Sequence, residues 1–509
     1  MDKWEIVESY YKQAGPIYQR LKSFDQFIEE KVTEIVEESG VVECNNNVKI
    51  KLSNVEITRP EIVEADRSAR VRLTPMEARQ RNMTYAGSIY LDIALYRKDV
   101  LIDEKRTYVG EIPILVKSKY CNLYGVNEQD LIDFGEDPMD LGGYFVINGS
   151  EKALITQEVL ALDKILLTES DGLVKAQVIS VKGAFKGKVK IERNIEGLLY
   201  ISFPSSPRKL ALIDLLNALG VVKPKEILDL FSDDRLIRNE ILLNLDKIEC
   251  VSEQDALDKI GKAVAPSQTQ AYRLRRAQEV IDSFLLPHIG QNKKDRSAKA
   301  YYLITMATKI IEKAYNLRPD ADKDHYSNKR LEMTGKLMEN LFRYAFKHFV
   351  NDLKFQIDRT ISRHRKLNIT TVIRPEAISE RIRFAVSTGT WVGSITGVCA
   401  FMDRINYVAP LTNMRKIKST LDSQRELYEA RDVHGTHWGR LCPIETPDGP
   451  NCGLSKNLSL MARVTTDVNY VNILKDIDIE EIKIKWFLEF KFLIFNLNKI
   501  RNLKTGNLR

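Results

Sequence analysis

Residues 431–457 constrain the fold most strongly, because they place four glycines and three prolines among charged, histidine and amide side chains. Proline removes a backbone donor and glycine weakens helices and strands, so this stretch cannot form a continuous helix or a central strand. We predict a rigid polar loop carried by a folded scaffold, and such loops position charged groups against a ligand. Composition alone favours the alternative, a solvated connector that contains a buried proline turn.

The size and charge of the chain set the scale of that scaffold. Its 509 residues predict about three domains. Hydrophobic residues make up 44% and charged residues 29%, which is typical of a globular protein with a substantial core. The 77 basic and 70 acidic residues leave a net charge of +7. This mildly basic balance permits a nucleic-acid partner without requiring one, because phosphate contact depends on where the charges cluster.

Cysteine spacing and hydropathy exclude two classes of protein. The six cysteines form no C-x₂-C pair, so we expect no zinc on this chain and reduced thiols. The N-terminus lacks a signal-peptide pattern. The most apolar run, Trp486–Phe495, contains Glu489 and Lys491 and is too short to span a bilayer. We therefore expect a cytoplasmic protein with no membrane partner.

Local periodicity predicts an α+β fold built from several small subdomains. Apolar residues alternate in Val48–Ile57 and in Leu173–Phe203, which indicates antiparallel strands. The pair Asn148–Gly149 is a strong hairpin signal between two short strands. Residues 207–317 are mostly helical in pattern, and a long amphipathic helix is predicted whose apolar stripe begins at Leu331.

The stretch 431–457 resembles the fork region of the second-largest (beta-type) subunit of multisubunit DNA-directed RNA polymerases. The family pattern is His-x-Thr-His-(Trp/Tyr)-Gly, then Cys-Pro-x-Glu-Thr-Pro-Glu-Gly, then Gly-Leu and Asn. One position departs from the pattern, because Asp448 stands where the family has glutamate and is shorter by about one methylene. The matching positions are His434, Thr436, His437, Trp438, Gly439, Cys442, Pro443, Glu445, Thr446, Pro447, Gly449, Gly453, Leu454 and Asn457.

Three further motifs carry the same resemblance. Gly142–Lys152 is similar to a strand-turn-strand in the family's protrusion, and Thr74–Asn82 is similar to a helix of that family. Asp322–Arg330 is similar to the segment that returns from the lobe to the protrusion. Without the family, the two aspartates and the histidine of that segment would also suit a metal site. We favour the interpretation as a returning loop.

The resemblance implies a multidomain α+β architecture of RNA polymerase beta-subunit protrusion, lobe and fork domains. The implied boundaries are 1–158 for the first part of the protrusion, 159–325 for the lobe, 326–386 for the return segment of the protrusion and 387–470 for the fork. Residues 471–509 are an atypical tail, either a native split end or the product of a frameshift. The resemblance ends before that tail, which points to the N-terminal half of an archaeal subunit split into two chains.

The resemblance also implies site residues, none of which is catalytic. Four basic residues are expected to contact phosphates, namely Arg415, Lys416, Arg431 and Arg440. Beside the nucleotide, supporting roles fall to His437, Glu445, Asp448 and Lys456. The fork segment contributes Thr388, Trp391, Asp403 and Asn406.

The implied function is transcription of DNA into RNA from the four ribonucleoside triphosphates, as part of a DNA-directed RNA polymerase. Mg²⁺ would be held mainly by the largest subunit, so this nucleotidyltransferase subunit is not expected to be catalytic alone. The implied partners are the DNA template, the RNA transcript, nucleoside triphosphates, the largest subunit, the C-terminal half of this subunit on a separate chain, and other polymerase subunits. Two alternatives remain: a non-catalytic DNA-binding or scaffold protein derived from this subunit, and a truncated, non-functional product.

Overall fold

A computed structural model describes residues 2–466, with gaps at 14, 45–47, 64–69, 171–172, 184, 207–208, 232, 248–249, 251, 319–321, 364–366, 394, 422 and 425–427. The predicted tail 471–509 lies outside the described residues. No helix in the described part of the chain is long and apolar enough to cross a membrane.

The first part of the chain forms helices followed by an antiparallel sheet with strand order β1-β2-β5-β6. The alternation predicted for Val48–Ile57 is confirmed, since this range is β2 and Val48, Ile50 and Leu52 are buried on one face. A π-helical turn, Phe27–Lys31, joins the second and third helices. The elements are α1 (Lys3–Gln13), α2 (Tyr18–Gln26), α3 (Val32–Ser39), β1 (Val41–Cys44), β2 (Val48–Ile57), β3 (Glu61–Val63), β4 (Arg70–Arg72), α4 (Pro75–Gln80), β5 (Ala86–Arg97), β6 (Val100–Pro113), α5 (Glu128–Asp133), β7 (Phe145–Ile147), β8 (Ser150–Leu154) and β9 (Thr156–Leu160).

The hairpin predicted at Asn148–Gly149 is confirmed. Strands β7 and β8 pair antiparallel across it, and Ile147 faces Ser150. The two turn residues have φ of 48° and 76°, as a type I′ turn requires. A Cβ at Gly149 would lie 2.6 Å from Asn82 Oδ1, so the approach of the chain after α4 also demands glycine here.

The described residues of the segment 159–325 form a five-stranded antiparallel sheet and six α-helices. The strand order is β10-β11-β12-β13-β14, and both the predicted sheet in Leu173–Phe203 and the helical region after it are confirmed. The elements are β10 (Leu166–Ser170), β11 (Leu173–Lys182), β12 (Phe185–Arg193), β13 (Leu199–Ser202), β14 (Leu210–Ala211), α6 (Leu212–Ala218), α7 (Pro224–Leu230), α8 (Arg235–Asp246), α9 (Glu253–Val264), α10 (Gln270–Phe284) and α11 (Arg296–Ala314).

The chain then returns through β15 (Lys329–Glu332) into the long helix α12 (Thr334–Ser362), followed by α13 (Ile369–Val372) and α14 (Glu376–Thr388). The amphipathic helix is confirmed, but the prediction that its stripe begins at Leu331 is wrong. Leu331 pairs with Glu158 in a sheet, and this pairing satisfies the backbone that a helix would otherwise use.

The last described elements are β16 (Cys399–Phe401), α15 (Val408–Arg415), β17 (Lys416–Ser419), α16 (Tyr428–Arg431) and β18 (Ser455–Asn457). The three strands among them join sheets with strands from earlier parts of the chain. One sheet has the order β15-β9-β17-β18, with β17 parallel to β9, and another has the order β16-β8-β7. The scaffold of residues 431–457 is therefore shared between the earlier and later parts of the chain.

Buried hydrophobic side chains of the described residues form two clusters. One draws on residues 24–154 and 337–398, with α12 supplying Met338, Phe342 and Phe349. The other draws on residues 167–311 alone. The second cluster lies within the predicted lobe, whose boundaries, like those of the other domains, stay predictions.

Candidate functional site

The loop 431–457 is braced by Arg431. Its guanidinium donates to the backbone carbonyls of Pro450 at 2.6 Å, Cys452 at 2.9 Å and Ser423 at 2.9 Å. The chain passes so close that a Cβ at Gly453 would lie 2.2 Å from the Arg431 carbonyl oxygen. Gly453 also has φ of 72°, which favours glycine. The two ends of the loop are thus locked together.

The turn that contains Glu445 and Asp448 is held by Thr446 and Asn457. The Thr446 hydroxyl donates to the Ser455 carbonyl at 2.9 Å and accepts the Gly453 N–H at 3.0 Å. Asn457 donates to the Glu445 carbonyl at 3.3 Å. These bonds do not involve the carboxylates of Glu445 and Asp448, which remain available for a ligand or partner.

The charged side chains exposed on this braced loop include Arg440, Glu445 and Asp448. Arg440 donates once, to the Thr436 carbonyl at 3.0 Å. Within the described part of the chain, neither carboxylate has an ion-pair partner. Trp438 and Ile444 are also exposed, at 69% and 86%. A surface that mixes unpaired charge with large apolar groups is typical of an interaction site.

Beneath the loop, one buried carboxylate serves two buried lysines. Lys456 Nζ lies 3.1 Å from both carboxylate oxygens of Glu158, and Lys329 Nζ lies 3.1 Å from one of them. Lys329 also contacts Asp324 at 3.3 Å. Burial would raise the pKa of the Glu158 carboxyl, but the two ammonium groups outweigh it and lower that pKa.

Despite this pairing, the pKa of Lys456 is lowered, which disfavours its charged form. Burial lowers it most, Glu158 opposes that effect, and the positive charge of Lys329 adds to the lowering. Because the two lysines share one carboxylate, its attraction offsets only part of the cost of burying each ammonium group, and the two ammonium groups repel each other. We call Glu158, Lys329, Lys456 and Asp324 the lysine network. It ties β9, β15 and β18 together.

His437 packs against the lysine network as a neutral ring. It is buried, and its ring lies 5.4 Å from that of Tyr326 in an edge-to-face arrangement. Tyr326 in turn donates to Glu158 at 3.2 Å. Burial and then the charge of Lys456 lower the pKa of His437 to about 4, because both disfavour an imidazolium there.

His434 joins the loop to the segment Asp322–Arg330. The Thr436 N–H donates to His434 Nδ1 at 3.2 Å, so Nδ1 carries no proton and Nε2–H donates to Asp322 Oδ2 at 2.7 Å. Thr436 Oγ1 accepts the Tyr326 N–H at 3.0 Å. The aspartates that also suited a metal site are thus engaged by His434 and Lys329, and among the described residues no group of metal-ligating side chains comes together.

A second charged network holds the fork segment to the hairpin β7–β8. Arg404 makes a bidentate ion pair with Glu151, at 2.7 and 3.0 Å, and contacts Asp140 at 3.1 Å. Its guanidinium lies 5.0 Å from the centre of the Tyr144 ring. A planar fork bound to a carboxylate fixes both distance and direction, which a lysine would not do.

Arg79 of α4 extends this second network. It contacts Glu136 at 3.0 Å and Glu151 at 2.8 Å, and donates to the Tyr144 hydroxyl at 2.6 Å. Tyr144 donates to Asp140 at 2.6 Å. We call this set, with Arg404, the arginine network. Sequence reasoning missed both networks. The one signal that could have indicated them is the concentration of charged residues in the matching motifs.

The four fork-segment residues shape the backbone in this structure. Trp391 is buried and donates to the Leu337 carbonyl at 3.1 Å, anchoring the segment to α12. Thr388 accepts the N–H of the second residue after it, at 3.2 Å, and Asp403 does the same at 3.0 Å. Asn406 accepts two N–H groups at the start of α15, at 3.0 and 2.9 Å.

The remaining predicted basic residues lie at the junction of α15 and β17. Arg415 donates to the carbonyls of Pro16 at 2.9 Å, Ser459 at 2.6 Å and Leu460 at 3.1 Å. Lys416 is half-buried and pairs through its backbone with Asn457. The structure therefore brings Arg431, Arg440, Glu445 and Asp448 onto one loop, while the side chains of Lys456 and His437, in the same loop, are buried.

Comparison with protein families gives a match over most of the chain. A model described as RNA polymerase beta subunit matches residues 16–380, and RNA polymerase Rpb2, domain 3, matches residues 400–464. The chain belongs to the RNA polymerase beta-subunit family. The predicted resemblance is confirmed, as is a multidomain α+β beta-subunit fold.

Archaeal beta-type subunits are similar along almost the whole chain. DNA-directed RNA polymerase subunit Rpo2N of Methanocaldococcus jannaschii is 41% identical, over 93% of this chain and 98% of that protein. Rpo2N of Halobacterium salinarum is 38% identical, over 92% of this chain and 93% of that protein. Subunit Rpo2 of Saccharolobus solfataricus is 40% identical over 92% of this chain, which spans only 42% of that relative's length.

In this beta-subunit chain, both networks bridge the two matched regions. The arginine network joins Arg79 and Glu151 of the first region to Arg404 of the second. The lysine network joins Glu158 of the first to Lys456 of the second. The regions that identify the family are therefore fastened to each other by ion pairs, of which the Glu158–Lys456 pair is buried.

Proposed function

We propose that this chain is the N-terminal part of the second-largest subunit of an archaeal-type DNA-directed RNA polymerase. It forms one side of the DNA cleft and carries the fork beside the active site. The observation that carries the proposal is the braced loop 431–457. It holds Arg440, Glu445 and Asp448 exposed on a backbone fastened by hydrogen bonds of Arg431 and by the buried Lys456–Glu158 ion pair.

Within that enzyme, the exposed and buried residues have separate tasks. Arg440 and Lys416 contact phosphates, and Glu445 and Asp448 face the nucleotide or a moving element of the largest subunit. His437 and Lys456 hold the loop from below. Arg415 and Arg431 already donate to carbonyls of their own chain, and any contact of theirs with phosphate adds to that bracing role.

No bond-making residue is assigned to this chain. The described residues do not fit a Mg²⁺ site of their own, because no three metal-ligating side chains converge. We infer that Mg²⁺ is bound mainly by the largest subunit, and that the chain contributes position and charge rather than the nucleotidyl transfer itself.

The proposed partners are the DNA template, the RNA transcript, nucleoside triphosphates, the largest subunit and other polymerase subunits. The C-terminal half of the second-largest subunit is proposed to lie on a separate chain. The coverage of the relatives supports this partner, since the chain matches 98% of one Rpo2N but 42% of one Rpo2.

Reconstituted enzyme tests the proposal. We expect Arg440→Ala and Asp448→Ala to slow nucleotide addition about tenfold or more while subunit assembly, measured by co-purification, stays intact. Arg97→Ala and Asp133→Ala are matched controls, because both residues are exposed and lie far from the loop in sequence. Normal elongation in both loop variants would remove the site assignment. A chain that purifies alone and binds duplex DNA would favour the scaffold alternative.

A further inference from the structure

The hydroxyl of Thr436 joins two segments that lie far apart in the sequence. Its oxygen accepts the Tyr326 N–H at 3.0 Å and lies 2.7 Å from His434 Nδ1. Because Nδ1 carries no proton, the hydroxyl donates a hydrogen bond to that nitrogen. This small side chain therefore acts as donor and acceptor at once, bonding the segment Asp322–Arg330 on one side and the loop 431–457 on the other.

Both partners of this hydroxyl are themselves fixed. Tyr326 donates through its own hydroxyl to the buried carboxylate of Glu158 at 3.2 Å. His434 donates from Nε2 to Asp322 Oδ2 at 2.7 Å. Thr436 is therefore held from two directions by groups that are anchored to the rest of the chain, and it cannot shift without breaking a hydrogen bond to one of them.

The local turn does not need the hydroxyl. The turn Gly435–His437 is closed by the backbone, where the His437 N–H donates to the His434 carbonyl at 2.9 Å. The Thr436 N–H is bonded to His434 Nδ1 at 3.2 Å. A residue without a hydroxyl at this position would keep both bonds. The bond from Tyr326 to the hydroxyl therefore serves the contact between the two segments rather than the turn itself.

The exposed guanidinium of Arg440 is fastened to the same residue. Its Nη1 donates to the Thr436 carbonyl at 3.0 Å, and among the described residues Arg440 forms no ion pair. A guanidinium carries its donors in one plane, so a single bond restricts its direction and leaves other N–H groups for a phosphate. Burial raises the pKa of the Tyr326 hydroxyl, and the charge of Arg440 opposes that rise, so the two side chains lie close enough to interact.

We propose that Thr436 is a positioning residue for nucleotide addition, because its hydroxyl fixes the Arg440 guanidinium relative to the segment Asp322–Arg330. The inference rests on the proposed function, in which Arg440 contacts a phosphate. Thr436 is assigned no contact with the substrate and acts only through Arg440. A shift of about 1 Å in a group that contacts the substrate can slow a reaction about a hundredfold, so one hydrogen bond at this position affects the rate.

Removing the hydroxyl at nearly constant size tests the inference. In reconstituted polymerase, Thr436→Val should lower kcat/KM for single-nucleotide addition about tenfold, because Arg440 loses its fixed place. Thr436→Ser keeps the hydroxyl and should stay within about twofold of the unaltered enzyme. Thr305→Val is the matched control and should leave the rate unchanged, because the exposed Thr305 hydroxyl on α11 donates only to the Tyr301 carbonyl at 2.9 Å.

A double variant separates positioning from a general structural role. Thr436→Val combined with Arg440→Ala should be no slower than Arg440→Ala alone, because the hydroxyl acts through the guanidinium that has already been removed. Thr446→Val provides the contrast. Its hydroxyl holds the turn of Glu445 and Asp448, so its effect should add to that of Arg440→Ala.

The outcomes distinguish this inference from the proposed function. A normal rate for Thr436→Val beside a slow Arg440→Ala would overturn the inference and leave the proposed function standing, and so would additive losses in their double variant. A normal rate for Arg440→Ala would instead count against the proposed site, and the inference would fall with it. Thr436→Ala removes the hydroxyl without a branched side chain, and it carries the same expectation if the valine variant does not co-purify with the largest subunit.

Discussion

Glu158 is a single buried carboxylate on which two lysines depend. Lys329 and Lys456 each lie 3.1 Å from it, and both side chains are largely removed from solvent. A buried pair of this kind adds little net stability compared with apolar residues, but removing one partner is costly because the remaining charge is stranded. At the scale of residues, the position of the loop 431–457 therefore depends on the Glu158 side chain.

Replacing Glu158 by glutamine should strongly lower the free energy of unfolding of the protein. Glutamine keeps the size but leaves the buried Lys456 ammonium without its carboxylate partner and Lys329 with Asp324 alone, which costs about 3 kcal/mol or more. Urea unfolding followed by tryptophan fluorescence measures the loss, since Trp391 is buried in the first hydrophobic cluster. Glu104→Gln is the control, because Glu104 is exposed, and its effect should stay within about 0.5 kcal/mol. An equal effect of both substitutions would contradict the buried-charge argument.

His437 should make stability depend on pH between about 6.5 and 4. The folded protein holds its pKa near 4, whereas the unfolded chain protonates near the ordinary value of 6.5. Across that window the unfolded state binds more protons, so stability is lost as pH falls from 6.5 towards 4. His437→Gln should flatten this slope in urea midpoints measured at several pH values. His325→Gln, at an exposed histidine, should leave the slope unchanged.

At the scale of elements, Arg404 decides where the connection from β16 to α15 lies. Its bidentate pair with Glu151 and its contact with Asp140 fix that connection against the hairpin β7–β8. The connection otherwise exposes large apolar side chains, including Ile405 at 85%. A segment with few apolar contacts of its own opens easily when its polar anchor is lost.

Arg404→Lys should therefore loosen residues 399–416 without unfolding the molecule. Lysine keeps the charge but cannot make the planar two-bond contact. Hydrogen–deuterium exchange should become faster in this segment and remain unchanged in α12. Arg381→Lys is the control, because Arg381 is exposed on α14 and donates only to the Ala377 carbonyl. Unchanged exchange in Arg404→Lys would show that β16 pairing alone positions the segment.

At the scale of the whole molecule, the two hydrophobic clusters make the lobe segment a candidate for independent folding. Its own cluster draws on residues 167–311, and the chain enters and leaves through paired strands, with Leu160 facing Lys329. A segment with its own core and adjacent ends is the usual structural domain.

Residues 161–318 expressed alone should fold. We expect a cooperative thermal transition in circular dichroism, because nearly all the apolar partners of this segment lie within it. A fragment of equal length covering residues 84–241 is the control. It divides both clusters and should show no cooperative transition. Non-cooperative melting of 161–318 would mean that the lobe requires the rest of the chain.

Local signals in the sequence determined the element types and the family. The alternation in Val48–Ile57 and the Asn148–Gly149 turn each became the predicted element, because strand periodicity and turn conformation depend on neighbouring residues. The motif in residues 431–457 identified the beta-subunit family before any contact was known. Only the start of the helical stripe at Leu331 was wrong, since strand pairing with a distant segment overrode local pattern.

Only the tertiary structure decided which charges meet. Glu158 and Lys456 are separated by 298 residues, and Glu151 and Arg404 by 253. Periodicity and composition report which residues prefer burial or a turn, but they carry no information on which of 77 basic side chains meets which of 70 acidic ones. That choice follows from β17 and β18 joining the sheet of β9, which buries the Lys456 side chain against Glu158 and leaves Arg440, Glu445 and Asp448 exposed.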